Sequence, residues 1–165
     1  MPHPYDILDV PGCLGRLILT PCPGLKDTSL DSALDTLQAA GAEALITLMP
    51  DEELSQNQVV DLPECCTHRN LEWLHLPVAD EQEPEAPFDA AWAVALPRIH
   101  QLLSEGRSLA IHGKSGSGRA GLIAARILIT CGVSRAEAIV QVQALRPRSI
   151  QNPAHIDWIE QFNGK

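Results

Sequence analysis

The run Ser108-Leu109-Ala110-Ile111-His112-Gly113-Lys114-Ser115-Gly116-Ser117-Gly118-Arg119-Ala120-Gly121 combines residue types and spacings that can hold an anion. Leu109 to Ile111 has the length of a short buried strand. Three glycines follow within six residues, and Ala120 to Cys131 then reads as an apolar helix. A strand that turns through glycines into a helix N-terminus aims backbone N–H groups into the turn, where the helix dipole adds about half a positive charge. Arg119 ends the turn with a fork of donors that fits phosphate in bidentate fashion.

One chemistry that uses such a loop is nucleotide binding through G-x-x-x-x-G-K-[ST]. Gly113 and Gly118 have that spacing, but Arg119 and Ala120 stand where Lys and Ser/Thr belong. The lysine for the outer phosphates and the hydroxyl for magnesium are both missing. Only 44 residues follow Gly121, and they read as helices, whereas a nucleotide loop usually has much of its sheet still to come.

A second chemistry fits better. His112 to Arg119 resembles the H-C-x-x-G-x-x-R signature of the cysteine-dependent protein phosphatases, tyrosine and dual-specificity, at every fixed position except one. Gly113 stands in the place of the nucleophilic cysteine. Ala120 follows the arginine, as in the PRL-type members, where most of the family has Ser or Thr. Leu76-Pro77-Val78-Ala79-Asp80 is similar to the mobile segment that carries the general-acid aspartate, 33 residues upstream of Gly113. Leu145-Arg146-Pro147-Arg148-Ser149-Ile150-Gln151 resembles the family's "RP-x-x-I-Q" corner. The likeness runs from about Ile18 to Phe162 and is greatest to the cyclin-dependent kinase-associated phosphatase group and its bacterial relatives.

The resemblance implies hydrolysis of phosphomonoesters in two steps. A thiolate, its pKa lowered by loop N–H groups and helix dipole, attacks phosphorus. An aspartic acid protonates the leaving oxygen and then helps water attack the phosphocysteine. Arginine and backbone amides hold the equatorial oxygens in the transition state. Carried over, Arg119 is the phosphate clamp and Asp80 the general acid. Lys114, Ser115, Gly116, Ser117 and Gly118 complete the phosphate-binding loop. Lys114 enriches its positive charge, as in family members that act on inositol lipids. His112 buttresses the loop, and Gln151 positions water. No metal or other cofactor is implied. The partners implied are proteins carrying phosphotyrosine or phosphoserine/threonine, or small phosphoesters, with a phosphate- or sulfate-type anion in the loop. The absence of a long tyrosine-recognition segment before Asp80 favours the dual-specificity type.

Gly113 cannot be a nucleophile. Ser115 and Ser117 are near, but Gly113-Lys114-Ser115-Gly116-Ser117 misses G-x-S-x-G at its last position, and no base is in view for either. The chain as written is therefore expected not to turn over substrate by the family mechanism. Binding is a separate matter. Loss of a thiolate removes a repulsion against a dianion of up to several kcal/mol at an effective dielectric near 20. The added glycine loosens the loop by roughly 0.5–1 kcal/mol. Two origins of Gly113 stay open: inactivation of an active parent to trap a ligand, or a natural pseudophosphatase that binds phosphorylated ligands.

The elements that must position this loop follow from the remaining chain. Residues 1–15 read as extended or irregular. Arg16 to Thr20 is a short strand, and Thr28 or Ser29 caps a helix through Ala40 that Gly41 stops. Ala44 to Met49 is a buried strand, Pro50 to Leu54 opens a short helix with acids at its positive end, and Val59 to Asn70 is helical, with Pro63 breaking its start. Trp73 to Val78 is a strand that delivers Asp80. An acidic, Pro-rich loop precedes a helix from Phe88 to Glu105 that Pro97 should kink. Ala110 to His112 is the strand before the loop. Helices at about 119–131, 134–145 and 153–163 complete the chain, the second opened by a Ser134/Glu137 capping box. Strands alternating with helices predict a single α/β domain over 1–165: a mainly parallel sheet of about four to five strands flanked by helices, dual-specificity-phosphatase-like, with ligands at the strand C-terminal ends.

Composition narrows the surroundings. Hydrophobic residues make up 45% and aromatic residues 4%, so the core must rest on Leu, Ile, Val and Ala. The net charge is −9, yet residues 1–97 hold 3 basic and 17 acidic groups while residues 98–165 hold 9 basic and 4 acidic ones. Positive charge thus gathers in the half that carries the anion loop. No basic stripe with interleaved aromatics suggests nucleic acid, and no apolar run approaches the roughly 18 residues needed to span a membrane. Five cysteines without a C-x-x-C pair, behind a polar, Pro-broken N-terminus, fit reduced thiols in a cytoplasm.

Overall fold

Leu17, Ile18 and Leu19 are all fully buried, as a strand covered on both faces requires. They belong to β2 (Arg16–Thr20), which lies parallel to β5 (Ser108–His112). β5 also pairs in parallel with β3 (Ala42–Thr47), and β3 with β4 (Glu72–His75). β1 (Asp6–Asp9) adds an antiparallel edge, so the sheet order is β1-β2-β5-β3-β4. This computed structural model describes residues 3–25, 28–115 and 118–162.

Alternate side chains go to opposite faces, as the period of two demands. Ile18, Leu45 and Ala110 pack beneath α1 (Leu30–Ala39), α2 (Asp51–Gln56) and α3 (Leu62–His68). Leu17, Leu19, Ala44, Ile46, Leu109 and Ile111 face the larger cluster formed with α4 (Ala86–Ser104), α5 (Arg119–Thr130), α6 (Arg135–Leu145) and α7 (Pro153–Ile159). Apart from Arg126 and Thr130, all of α5 is buried. The helix that opens at the anion loop is thus the central helix of that face.

Several starts and stops follow local chemistry. Ser29 accepts from the Ser32 amide, Ser134 from the Glu137 amide and Asn152 from the Ala154 amide, each satisfying an orphan donor of a first turn. Only half of the expected capping box forms, because the Glu137 carboxylate accepts from Gln141 instead. Pro63 lies in the first turn of α3, where a missing N–H costs nothing; it opens that helix rather than breaking it. α4 continues through Pro97, whose side and that of Ala93 are exposed, so the carbonyl that loses its partner there can meet water.

Within the N-terminal stretch read as extended or irregular, residues 6–9 form a strand. Leu8 and Val10 are buried against the larger core while Ile7 is exposed, and the ladder to β2 runs from Asp6↔Leu19 to Asp9↔Arg16. Arg146, from the corner before α7, donates to the Leu19 carbonyl at 3.2 Å and pairs with Asp6, also at 3.2 Å. Among the described residues no helix is long and apolar enough to cross a membrane.

Candidate active site

Four parallel strands end on one side of the sheet, and the 112–119 loop and the Asp80 segment follow two of those ends. His112 closes β5, opposite Thr20 of β2 and Thr47 of β3 in the ladder. Past β4, the chain stays beside β3, with the Leu76 amide donating to the Thr47 carbonyl (2.9 Å) and Val78 to Leu48 (2.7 Å). That extension carries Asp80 to the loop. A cavity of about 270 Å³ results, lined by Asp80, Glu81, Gly113, Lys114, Ser115, Gly118, Arg119, Arg148, Asn152 and His155. Gly116 and Ser117 lie outside the described residues.

His112 has no exposed surface, and its two nitrogens are both used. Nδ1–H donates to the Gly113 carbonyl at 2.7 Å, which leaves Nε2 as the acceptor for the Thr47 hydroxyl, also at 2.7 Å. Thr47 in turn accepts from the Trp73 indole N–H at 2.8 Å. Burial lowers the His112 pKa to about 4, with the nearby Arg119 charge acting in the same direction against the Gly113 hydrogen bond. A neutral ring of fixed tautomer therefore holds the first carbonyl of the loop.

Arg119 opens α5 with its side chain only 2% exposed. Nη1 donates to Glu53 Oε1 at 2.8 Å and to the Val78 carbonyl at 2.9 Å, and Nη2 donates to Glu53 Oε2 at 2.7 Å. Asp80 stands 3.6 Å from Nη2, with its own side chain largely exposed. A Cβ at Gly113 would lie 3.1 Å from Arg119 Nε. The position where the signature has its nucleophile thus faces the third nitrogen of the guanidinium.

Glu53 is the group that the sequence hid. It reads as one of three acids at the positive end of a short helix, and nothing local singles it out from Asp51 and Glu52. Its role depends on a contact across 66 positions. Asn152 and His155 are the second omission. The Asn152 amide donates to the Glu81 carbonyl and His155 Nε2–H to the Gln82 carbonyl, both at 2.9 Å, and so tie the segment after Asp80 to α7. Gln151 turns away: its amide donates to the Pro147 carbonyl, and it is not among the residues that line the cavity. Lys114 and Arg148 are exposed on the rim.

Cys22 lies next to the loop, its amide donating to the Lys114 carbonyl at 2.9 Å. Its thiol cannot replace the missing one. It is fully buried, and burial pushes its pKa up to about 12, with the Glu53 charge adding to the rise and Arg119 opposing it. A thiol held so far from ionisation is not a nucleophile at neutral pH.

Known structures share this fold. Kinase-associated phosphatase, with its catalytic cysteine replaced by serine, superposes with a TM-score of 0.87 at 23% identity over 98% of this chain and 94% of that one. Tk-PTP in its active form gives 0.69 at 23% identity, covering 94% of each chain. PTPMT1 in complex with PI(5)P gives 0.73 at 19% identity, covering 96% of this chain and 93% of that one. No curated protein matches by sequence. Residues 24–158 match the family described as "PTP-SAK: Swiss Army Knife protein, DSP-PTPase phosphatase domain", which spans the loop, the Asp80 segment and the corner before α7. The chain belongs to that dual-specificity-type phosphatase domain family.

Proposed function

We propose that this chain binds phosphomonoesters in the 112–119 loop and does not hydrolyse them through a phosphocysteine. The observation that carries the reading is the pairing of Gly113 with Arg119: the guanidinium is buried and held in one orientation, while the residue facing it has no side chain. Covalent catalysis needs a nucleophile in line with phosphorus. Binding needs only the guanidinium, the loop amides and the start of α5. Asp80, exposed 3.6 Å from Arg119, is the proposed general acid, but without a phosphocysteine it has no second step to assist.

Lys114 and Arg148 favour a ligand with anionic groups beyond the phosphate held by Arg119. A phosphoprotein segment rich in acids, or a small phosphoester with more than one phosphate, has that chemistry. The PI(5)P bound by PTPMT1 is one example of a phosphorylated small ligand on this fold.

The test compares this chain with its Gly113→Cys variant. The chain as written should bind inorganic phosphate in a titration and leave an aryl phosphate intact, and Arg119→Ala should lose the binding. The Gly113→Cys variant should gain hydrolysis that slows on Asp80→Asn. Turnover by the unmodified chain would send the assignment to Ser115 or Ser117. A folded but dead Gly113→Cys variant would mean that binding alone remains.

A further inference from the structure

Cys13 and Cys131 come from distant parts of the chain and meet at the opposite end of α5 from the anion loop. Both line a surface cavity of about 280 Å³ together with His100 and Thr130. Both are partly exposed, and Cys13 lies near enough to Cys131 to raise its pKa. Each backbone is held by its own turn. The Cys13 amide donates to the Val10 carbonyl at 3.0 Å, after Gly12 with φ 80°. Cys131 caps α5, its amide donating to the carbonyls of Ile127 (3.1 Å) and Leu128 (3.0 Å), before Gly132 with φ 98°. Two partly exposed thiols that line one small cavity, each on a backbone turn fixed by its own hydrogen bonds, can make the close approach that a disulfide needs.

We propose that Cys13 and Cys131 are a reactive dithiol pair that small-molecule disulfides convert into an intramolecular disulfide. The exchange takes two displacements. The Cys13 thiolate attacks one sulfur of the small disulfide, forming a mixed disulfide and expelling one thiolate. The Cys131 thiolate then attacks the Cys13 sulfur, forming the Cys13–Cys131 bond and expelling the second thiolate. The two protons lost by the cysteines end on the two small thiols, and the two electrons reduce the reagent. The order follows from the surroundings: burial raises the Cys131 pKa, with Cys13 beside it adding to the rise and the Thr130 hydroxyl opposing it. Cys131 is thus reluctant to ionise, and it acts second, as an intramolecular partner. α5 spans about 18 Å at 1.5 Å per residue, so the pair is remote from Arg119 and does not depend on the phosphate-binding reading.

The experiment treats the full chain with oxidised glutathione and maps its peptides by mass spectrometry under non-reducing conditions. The expected product has lost two of its five free thiols, contains one cross-linked peptide joining Cys13 to Cys131, and melts roughly 10 °C higher, because the closed loop exceeds a hundred residues. Dithiothreitol should reverse all three changes. Cys131→Ser should instead accumulate a glutathione adduct at Cys13, and Cys13→Ser should react slowly at Cys131. Adducts at both positions of the unmodified chain without a cross-link, a cross-link between another pair, or no reaction at either residue would overturn the proposal. The peptide map of the unmodified chain decides the matter even if a serine variant fails to fold.

Discussion

Arg119 and Glu53 meet fork to fork, with 2.8 and 2.7 Å contacts, the guanidinium side chain 2% exposed and the carboxylate side chain 16% exposed. Glu53 holds the guanidinium in one orientation and also occupies two of its three nitrogens. On the proposed reading, the same carboxylate both orients the guanidinium and competes with a phosphate that enters beside it.

Glu53→Gln separates these two effects. Removing one partner of a buried pair costs about 3 kcal/mol at the lower end of such changes, or close to 10 °C in melting temperature for a chain of this size. Phosphate should restore more stability to the variant than to the parent, because it now supplies the missing negative charge. Thermal melts in matched chloride and phosphate buffers read the difference. An equal phosphate shift in both proteins would show that Glu53 does not compete for the clamp.

Thr47→Val cuts the chain from Trp73 through Thr47 to His112. Two buried or half-buried groups, the indole N–H and His112 Nε2, then lose their partner at about 1–3 kcal/mol each when unsatisfied. The melting temperature should fall by roughly 5–15 °C. Phosphate binding should weaken as well, since the ring that holds the Gly113 carbonyl is no longer fixed. Unchanged binding with lost stability would confine the Thr47 contact to the core.

Stability should fall as the solution is acidified below pH 6.5. His112 is lowered to about 4 in the fold, so between 6.5 and 4 the unfolded chain binds the extra proton and the folded chain does not. The stabilisation is complete above 6.5 and is lost as pH falls towards 4, by up to ~3 kcal/mol for this residue. His3 and His155, also lowered by burial, act in the same direction. Nitrogen NMR shifts should keep His112 in its neutral Nδ1–H form at pH 5. Titration of that ring near 6.5 would contradict the network drawn around it.

Gly121→Ala should be strongly destabilising. A Cβ there would sit 2.1 Å from Ser149 Oγ and 2.5 Å from Ser149 Cβ, and Ser149 is fully buried. Overpacking of this kind costs about 1–3 kcal/mol or more. The double variant Gly121→Ala with Ser149→Gly should recover part of the loss in denaturant titrations, and a strictly additive result would exclude the clash as the cause.

The parts of this fold legible in the sequence are those that local chemistry writes. Ser29 before α1, Gly41 after it, and the strand–glycine–helix passage through 108–121 all carry their signals within a few residues. The loop and the Asp80 segment are readable for the same reason, and they line one cavity. β1 was legible only as extended backbone, not as part of the sheet, because only Leu8 and Val10 alternate inward and a four-residue edge strand between prolines gives no longer pattern. Glu53 was hidden because its partner is remote in sequence. Pro63 misled because a proline inside an apolar stretch reads as a break until the helix start is known. Gln151 resembles a family position, yet the turn of its own corner directs its amide to Pro147.

β4 has a neighbour on one side only. Its outer ladder groups form a template on which a strand from another molecule could add, a recognised route to aggregation. The strand is four residues long, and its first residue, Glu72, is clasped by Arg98 through contacts of 3.1, 3.0 and 2.7 Å. A short edge that begins in an ion pair offers an intruding strand few bonds and a charge to displace. The β4 margin of the sheet is thereby made a poor template for self-association at high concentration.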